Sequence, residues 1–165
     1  MTPALHRFGD SRQPVVTIDG VTGDPGAVVA IAARLAPLPP SRTYYPGLRR
    51  IVTERDGDAF AYVCRLLETA APFIGGGFDA DSFDLVGGSF SIVTAPRDAL
   101  APAQRTPHFD SADPADVALL HYLADTPGSG TAFYRQRSTG IELVDEGNRA
   151  RFVAVPHRRY VGARR

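Results

Sequence analysis

Arg105-Thr-Pro-His-Phe-Asp110, followed by Val117-Ala-Leu-Leu-His-Tyr-Leu123 and Thr131-Ala-Phe-Tyr-Arg-Gln-Arg137, is the stretch whose reading decides the fold. On a strand, residues i and i+2 project to one face. An extended 105–110 run would therefore bring the His108 imidazole and the Asp110 carboxylate together and leave Phe109 to pack on the other side. The run 117–123 is apolar with an aromatic, which fits a buried strand. Asp125-Thr-Pro-Gly-Ser-Gly130 is turn chemistry. Residues 131–137, 140–144 and 149–156 read as further strands, with Asp145-Glu-Gly-Asn148 as a tight turn.

Upstream the texture changes. Residues 1–13 are polar and are expected to be flexible. Pro14-Val-Val-Thr-Ile18 reads as a short strand. Asp24 and Pro25 form a helix start, as N-cap and first helical residue, and the helix is expected to end at Pro37, Pro39 and Pro40. Tyr44-Tyr-Pro-Gly47 is an aromatic turn. A second helix is expected from about Asp58 to Ala71, because Phe60, Val63, Leu66 and Leu67 follow helical spacing. Residues 73–88 are Gly-rich and read as irregular, and 88–94 alternates as a strand. Helices in front and short strands behind predict an α+β chain whose strands close into an antiparallel barrel or jelly roll, with the helices packed on it. The expected domain spans 14–157, with a basic tail over 158–165.

A chain of 165 residues with 44% apolar residues can bury one core. Its 18 basic and 18 acidic residues balance, so no global field steers it to nucleic acid or to an anionic membrane. Every basic residue other than histidine is arginine, the residue suited to bidentate carboxylate binding. The single cysteine, Cys64, lies in an apolar run and reads as a small buried hydrophobe rather than a nucleophile. No apolar stretch is long enough to span a membrane, and the N-terminus lacks a signal-peptide core. The expected location is cytoplasmic. Gly75-Gly-Gly77 and Gly87-Gly88 lack phosphate-loop residues, and Ser89, Ser91 and Ser111 lack a nucleophile elbow. Tyr44 and Tyr45 read as core or pocket lining. Arg135 and Arg137 alternate with Tyr134 and Gln136, so a strand would put both on one face, for a carboxylate or for solvent.

His108 and Asp110 are the candidate metal ligands. Facial coordination by two histidines and one carboxylate leaves three positions open on Fe(II), enough for an α-keto acid and O₂. As a bare triplet His-x-Asp is a weak motif; its context sharpens it. The order His-x-Asp, apolar 119–123 strand, Gly-bearing turn and Gly130-Thr-Ala-Phe-Tyr134 resembles the Fe(II)/2-oxoglutarate oxygenases of the prolyl-hydroxylase type. More closely, Tyr44-Tyr-Pro-Gly47, Pro107-His-Phe-Asp110, Leu120-His-Tyr-Leu123, Gly130-Thr-Ala-Phe-Tyr-Arg135 and Ser138-Thr-Gly140 resemble the bacterial DUF6445 family, whose reaction is undefined. The resemblance covers about residues 14–144.

It implies a double-stranded β-helix, a dioxygenase activity with Fe(II) and 2-oxoglutarate as cofactors, and a small-molecule or peptide substrate of unidentified nature. It also implies a third histidine ligand on a late strand and a cation beyond it for the far carboxylate of 2-oxoglutarate. His157 and Arg165 are the residues here that could fill those positions, and the C-terminus otherwise departs from the pattern as in a truncated or divergent member. Tyr122 or His121, with Arg135 or Arg137, would line the pocket. The alternative is a non-catalytic jelly-roll module that binds a small molecule or partner.

Overall fold

The computed structural model describes residues 1–127, 129–155 and 160–162, the last three as backbone. Helix α2, Asp58–Phe78, organises the first half of the chain. Its buried residues Ala59, Tyr62, Ala70, Ile74 and Gly77 recur at helical spacing and form one face. Thr53 and Asp56 build the entry: Asp56 Oδ2 accepts from Thr53 N at 2.7 Å and from Thr53 Oγ1 at 2.8 Å. The helix is longer than the sequence predicts. It runs through Pro72 and the three glycines to Phe78, because Ile74 and Gly77 on its last turns are buried. Burial outweighs the local cost of proline and glycine here.

The α2 face packs on a two-stranded antiparallel sheet of β3, Gly47–Val52, and β4, Gly88–Val93. Arg50 pairs with Phe90 and Val52 with Gly88, which sets Val52 and Phe90 on the same face. Both are buried, and the Phe90 ring stacks on Tyr62 at 6.0 Å between centroids. Helix α1, Pro25–Ala33, starts as expected: Asp24 Oδ1 accepts from Ala27 N at 3.1 Å.

Residues 2–8 are not a flexible arm. Thr2–Phe8 is strand β1, paired with β2, Gln13–Asp19, across the turn Gly9 to Arg12. The chain divides into two compact units. Met1–Leu5 and Val16–Arg105 form the first; His6–Val15 and Thr106–Arg165 form the second, so the hairpin contributes its ends to one and its tip to the other.

Regular structure in the second unit is sparse: β5, Tyr134–Gln136, pairs antiparallel with β6, Tyr160–Gly162, and α3 spans Arg149–Val153. Among its described residues, Ala112, Gln136, Ile141 and Val144 are buried. Three expected strands are corrected. Residues 117–123 form no strand, and Leu120 is 63% exposed. Residues 140–144 are irregular because Gly140 N and Gln136 N bond across a tight turn, to Gln136 O and Ile141 O. Residues 149–153 are helical because Asp145 and Asn148 cap one another, and Asp145 O and Asn148 O then accept from Arg149 N and Phe152 N. Among the described residues the strands form three separate pairs, in an α+β chain.

Candidate metal centre

His108 and Asp110 come together. His108 Nε2 lies 3.6 Å from Asp110 Oδ1. Phe109 turns away from them and packs edge-on against Phe152, 5.6 Å between centroids. His108 and Asp110 therefore meet while Phe109 packs elsewhere, but the expected strand is absent: 107–109 have no regular structure and Asp110 is a bend. Pro107 cannot donate to a ladder. Beyond the pair, Ser111 Oγ accepts from Asp113 N at 3.0 Å and Asp113 Oδ1 from Ala115 N at 2.9 Å, so side chains turn the backbone before a sheet can form. Both candidate ligands face solvent, at 80% and 84% side-chain exposure, rather than a barrel interior.

The other candidates have their own surroundings. Arg135, on β5, bonds Asp10 Oδ2 at 2.6 Å and lies 3.6 Å from Glu142 Oε1. Arg137 sits in the turn after β5 and is exposed, so the two arginines do not share a strand face. The Tyr122 hydroxyl bonds the Thr131 hydroxyl, with its ring half in solvent. His121 is half-buried, and that burial pulls its pKa below the usual histidine value. His157 and Arg165 lie outside the described residues. Tyr44 is exposed rather than in the core; Tyr45 is half-buried under the Arg49 guanidinium, 4.5 Å from its ring centroid. Burial, partly offset by Arg49, raises the Tyr45 pKa. Cys64 is half-buried.

The donor set fits a divalent metal in part. An imidazole and a carboxylate at this separation are two of the three side chains of a facial site. Among the described residues no group of three or more His, Cys, Asp or Glu side chains could hold a metal, so the set is not a complete triad.

Two polar residues that sequence reasoning missed organise this unit. Gln136 is buried, its Nε2 donating to Phe152 O at 3.0 Å and its Oε1 accepting from Thr139 Oγ1 at 2.5 Å. Glu142 receives Ser11 N at 3.0 Å and Ser11 Oγ at 2.9 Å. The Gly9-Asp-Ser turn signal was readable; its partner 131 residues away was not.

Among the described residues no helix is long and apolar enough to cross a membrane. No curated protein and no solved structure matches this chain. A family profile matches it over residues 1–161, from the β1–β2 hairpin through the His-x-Asp pair to the last described strand, and on that match the chain belongs to DUF6445, a family of unknown function.

Proposed function

We propose that this chain carries the iron-binding pair of an Fe(II)- and 2-oxoglutarate-dependent dioxygenase, acting on an unidentified small-molecule or peptide substrate. The observation that carries the reading is the geometry of 108–110: His108 Nε2 and Asp110 Oδ1 at 3.6 Å, with Phe109 turned to Phe152. The motif order downstream, which resembles the oxygenases, supports it. On this reading the fold is the double-stranded β-helix of that superfamily, and His157 and Arg165 supply the third ligand and the keto-acid clamp. When bound, iron with 2-oxoglutarate would supply oxidation of a C–H bond by O₂. The chain's own part is to hold the metal through His108 and Asp110 while Phe109 anchors their backbone. Arg135 is a poor clamp on this geometry, since Asp10 and Glu142 already engage it.

A second reading has its own observation. Two exposed donors without a third among the described residues would hold a metal weakly, which favours a non-catalytic binding module. One experiment separates the two. The protein is incubated with Fe(II), ascorbate and 2-oxoglutarate under air, and succinate is measured beside Mn(II) binding by calorimetry. Succinate formation that His108→Ala abolishes supports the oxygenase. Mn(II) binding lost in His108→Ala, without succinate, supports the module. Unchanged Mn(II) binding in both His108→Ala and Asp110→Asn excludes the site.

A further inference from the structure

The turn at the tip of the β1–β2 hairpin is built around a carboxylate. Gly9 and Arg12 both hold positive φ, 69° and 53°, and Arg12 N closes the turn on Gly9 O at 3.2 Å. The Ser11 backbone amide donates to Glu142 Oε2 at 3.0 Å, and the neighbouring Asp10 amide also favours the charged carboxylate. Its Oε2 also accepts from Ser11 Oγ at 2.9 Å, while Arg135 Nη1 approaches Oε1 at 3.6 Å. Successive amides of a tight turn make an anion-binding concavity. The fit is close: a Cβ on Gly9 would overlap the Glu142 carboxylate. Glu142 is only 15% exposed, although the residues that bond it are largely in solvent.

We propose that this turn is a carboxylate receptor latched in cis by Glu142, a pH-sensitive catch that holds the hairpin tip to the segment following β5. The charged groups around Glu142 are Arg135 from β5 and Asp10 on the turn, which share one ion pair at 2.6 Å; Arg12 is the turn's other charge. Ser11 N–H, foremost among the causes, holds the Glu142 carboxyl below its ordinary range. A folded pKa that is depressed contributes stability above the unfolded value, near 4.3 for glutamate, and loses it as pH falls through the folded value. The catch is therefore closed at neutral pH and opens in acid. On protonation Glu142 loses its charge-assisted bonds, while Arg135 keeps Asp10. The inference is independent of the iron reading, since it uses neither His108 nor Asp110.

Amide hydrogen exchange tests it, reading Ser11 against Gly140, whose N–H bonds Gln136 O at 2.8 Å within the same unit. In the wild-type protein the Ser11 protection, normalised to Gly140, should fall about tenfold as pH drops from about 7 to about 3. In Glu142→Gln the normalised protection should already be low at neutral pH and should not change with pH. In Glu142→Ala, excess acetate should restore it and equal chloride should not. A flat wild-type ratio across the pH range overturns the proposal without any variant. A Glu142→Gln ratio equal to wild type, or no response of Glu142→Ala to acetate, overturns it as well.

Discussion

Gln136 shows what one buried amide can do in a unit with few buried residues among those described. Its side chain is the described residues' single fully buried large one, and both ends are satisfied, by Phe152 O and by Thr139 Oγ1. Removing it deletes both bonds and leaves a gap at a buried position, a loss of about 1–3 kcal/mol. Gln136→Ala should lower the urea midpoint accordingly, and Thr139→Val, which deletes the bond to Gln136 Oε1 and the one from Ile141 N at 3.3 Å, should cost about 1–3 kcal/mol as well. His121 gives the residue scale a pH signature. Burial depresses its pKa, so its neutral form is preferred in the folded state. Stability is then fully present above the unfolded value near 6.5 and declines as pH falls below it toward the lower folded value. Urea unfolding at pH steps across that window should show a slope in wild type that His121→Gln reduces. An identical slope in the variant would assign the dependence elsewhere.

At the scale of elements, the C-terminal turns of α2 depend on a missing side chain. A Cβ at Gly77 would stand 2.6 Å from Val16 Cγ2 on β2. Alanine would gain about 1 kcal/mol of helix propensity there. Valine is short and stiff at χ1, however, and cannot swing aside. Overpacking of this kind costs about 1–3 kcal/mol. Gly77→Ala should therefore be net destabilising in thermal unfolding, and Val16→Ala in the same molecule should recover most of the loss. Stabilisation by Gly77→Ala alone would mean that the strand yields. The other end of α2 was easier to foresee. Thr53 and Asp56, three apart, cap the short 3-10 helix Glu54–Asp56 that leads into α2, a pattern with a local cause. The Thr53 backbone N–H, then its hydroxyl, lowers the Asp56 pKa. This part of the stability is present above the ordinary aspartate value and is lost in acid. Asp56→Asn should flatten the acid limb of the unfolding curve.

For the molecule as a whole, metal affinity and folding are linked. A ligand that binds only the folded chain stabilises it by about 2.7 kcal/mol at a hundredfold excess over Kd. If His108 and Asp110 hold a metal in the folded state, Mn(II) should raise Tm in a concentration-dependent way, and His108→Ala should abolish the rise. A shift that persists in His108→Ala and Asp110→Asn would place the binding on other groups. The second unit exposes Leu119, Leu120, Tyr122 and Phe133, all of which the sequence would put inside. Periodicity reports which side chains are apolar, and not which partner is there to cover them.

What the sequence by itself determined is local. The Asp24–Pro25 helix start, the body of α2 and strands β2 and β4 all follow from neighbours within a few residues, through capping, 3.6-residue spacing and two-residue alternation. Tertiary structure alone decided the rest. Whether α2 passes Pro72 depends on burial of Ile74 and Gly77. The turn into 149–153 is local, through Asp145 and Asn148, but where that helix docks depends on Gln136 reaching Phe152 O, 16 residues away. Whether Arg135 is free for a ligand depends on Asp10 and Glu142, one of them 125 residues away. Long-range pairings of this kind leave no periodic trace, because a hydrogen bond or ion pair fixes two side chains in space without constraining the spacing between them in the chain.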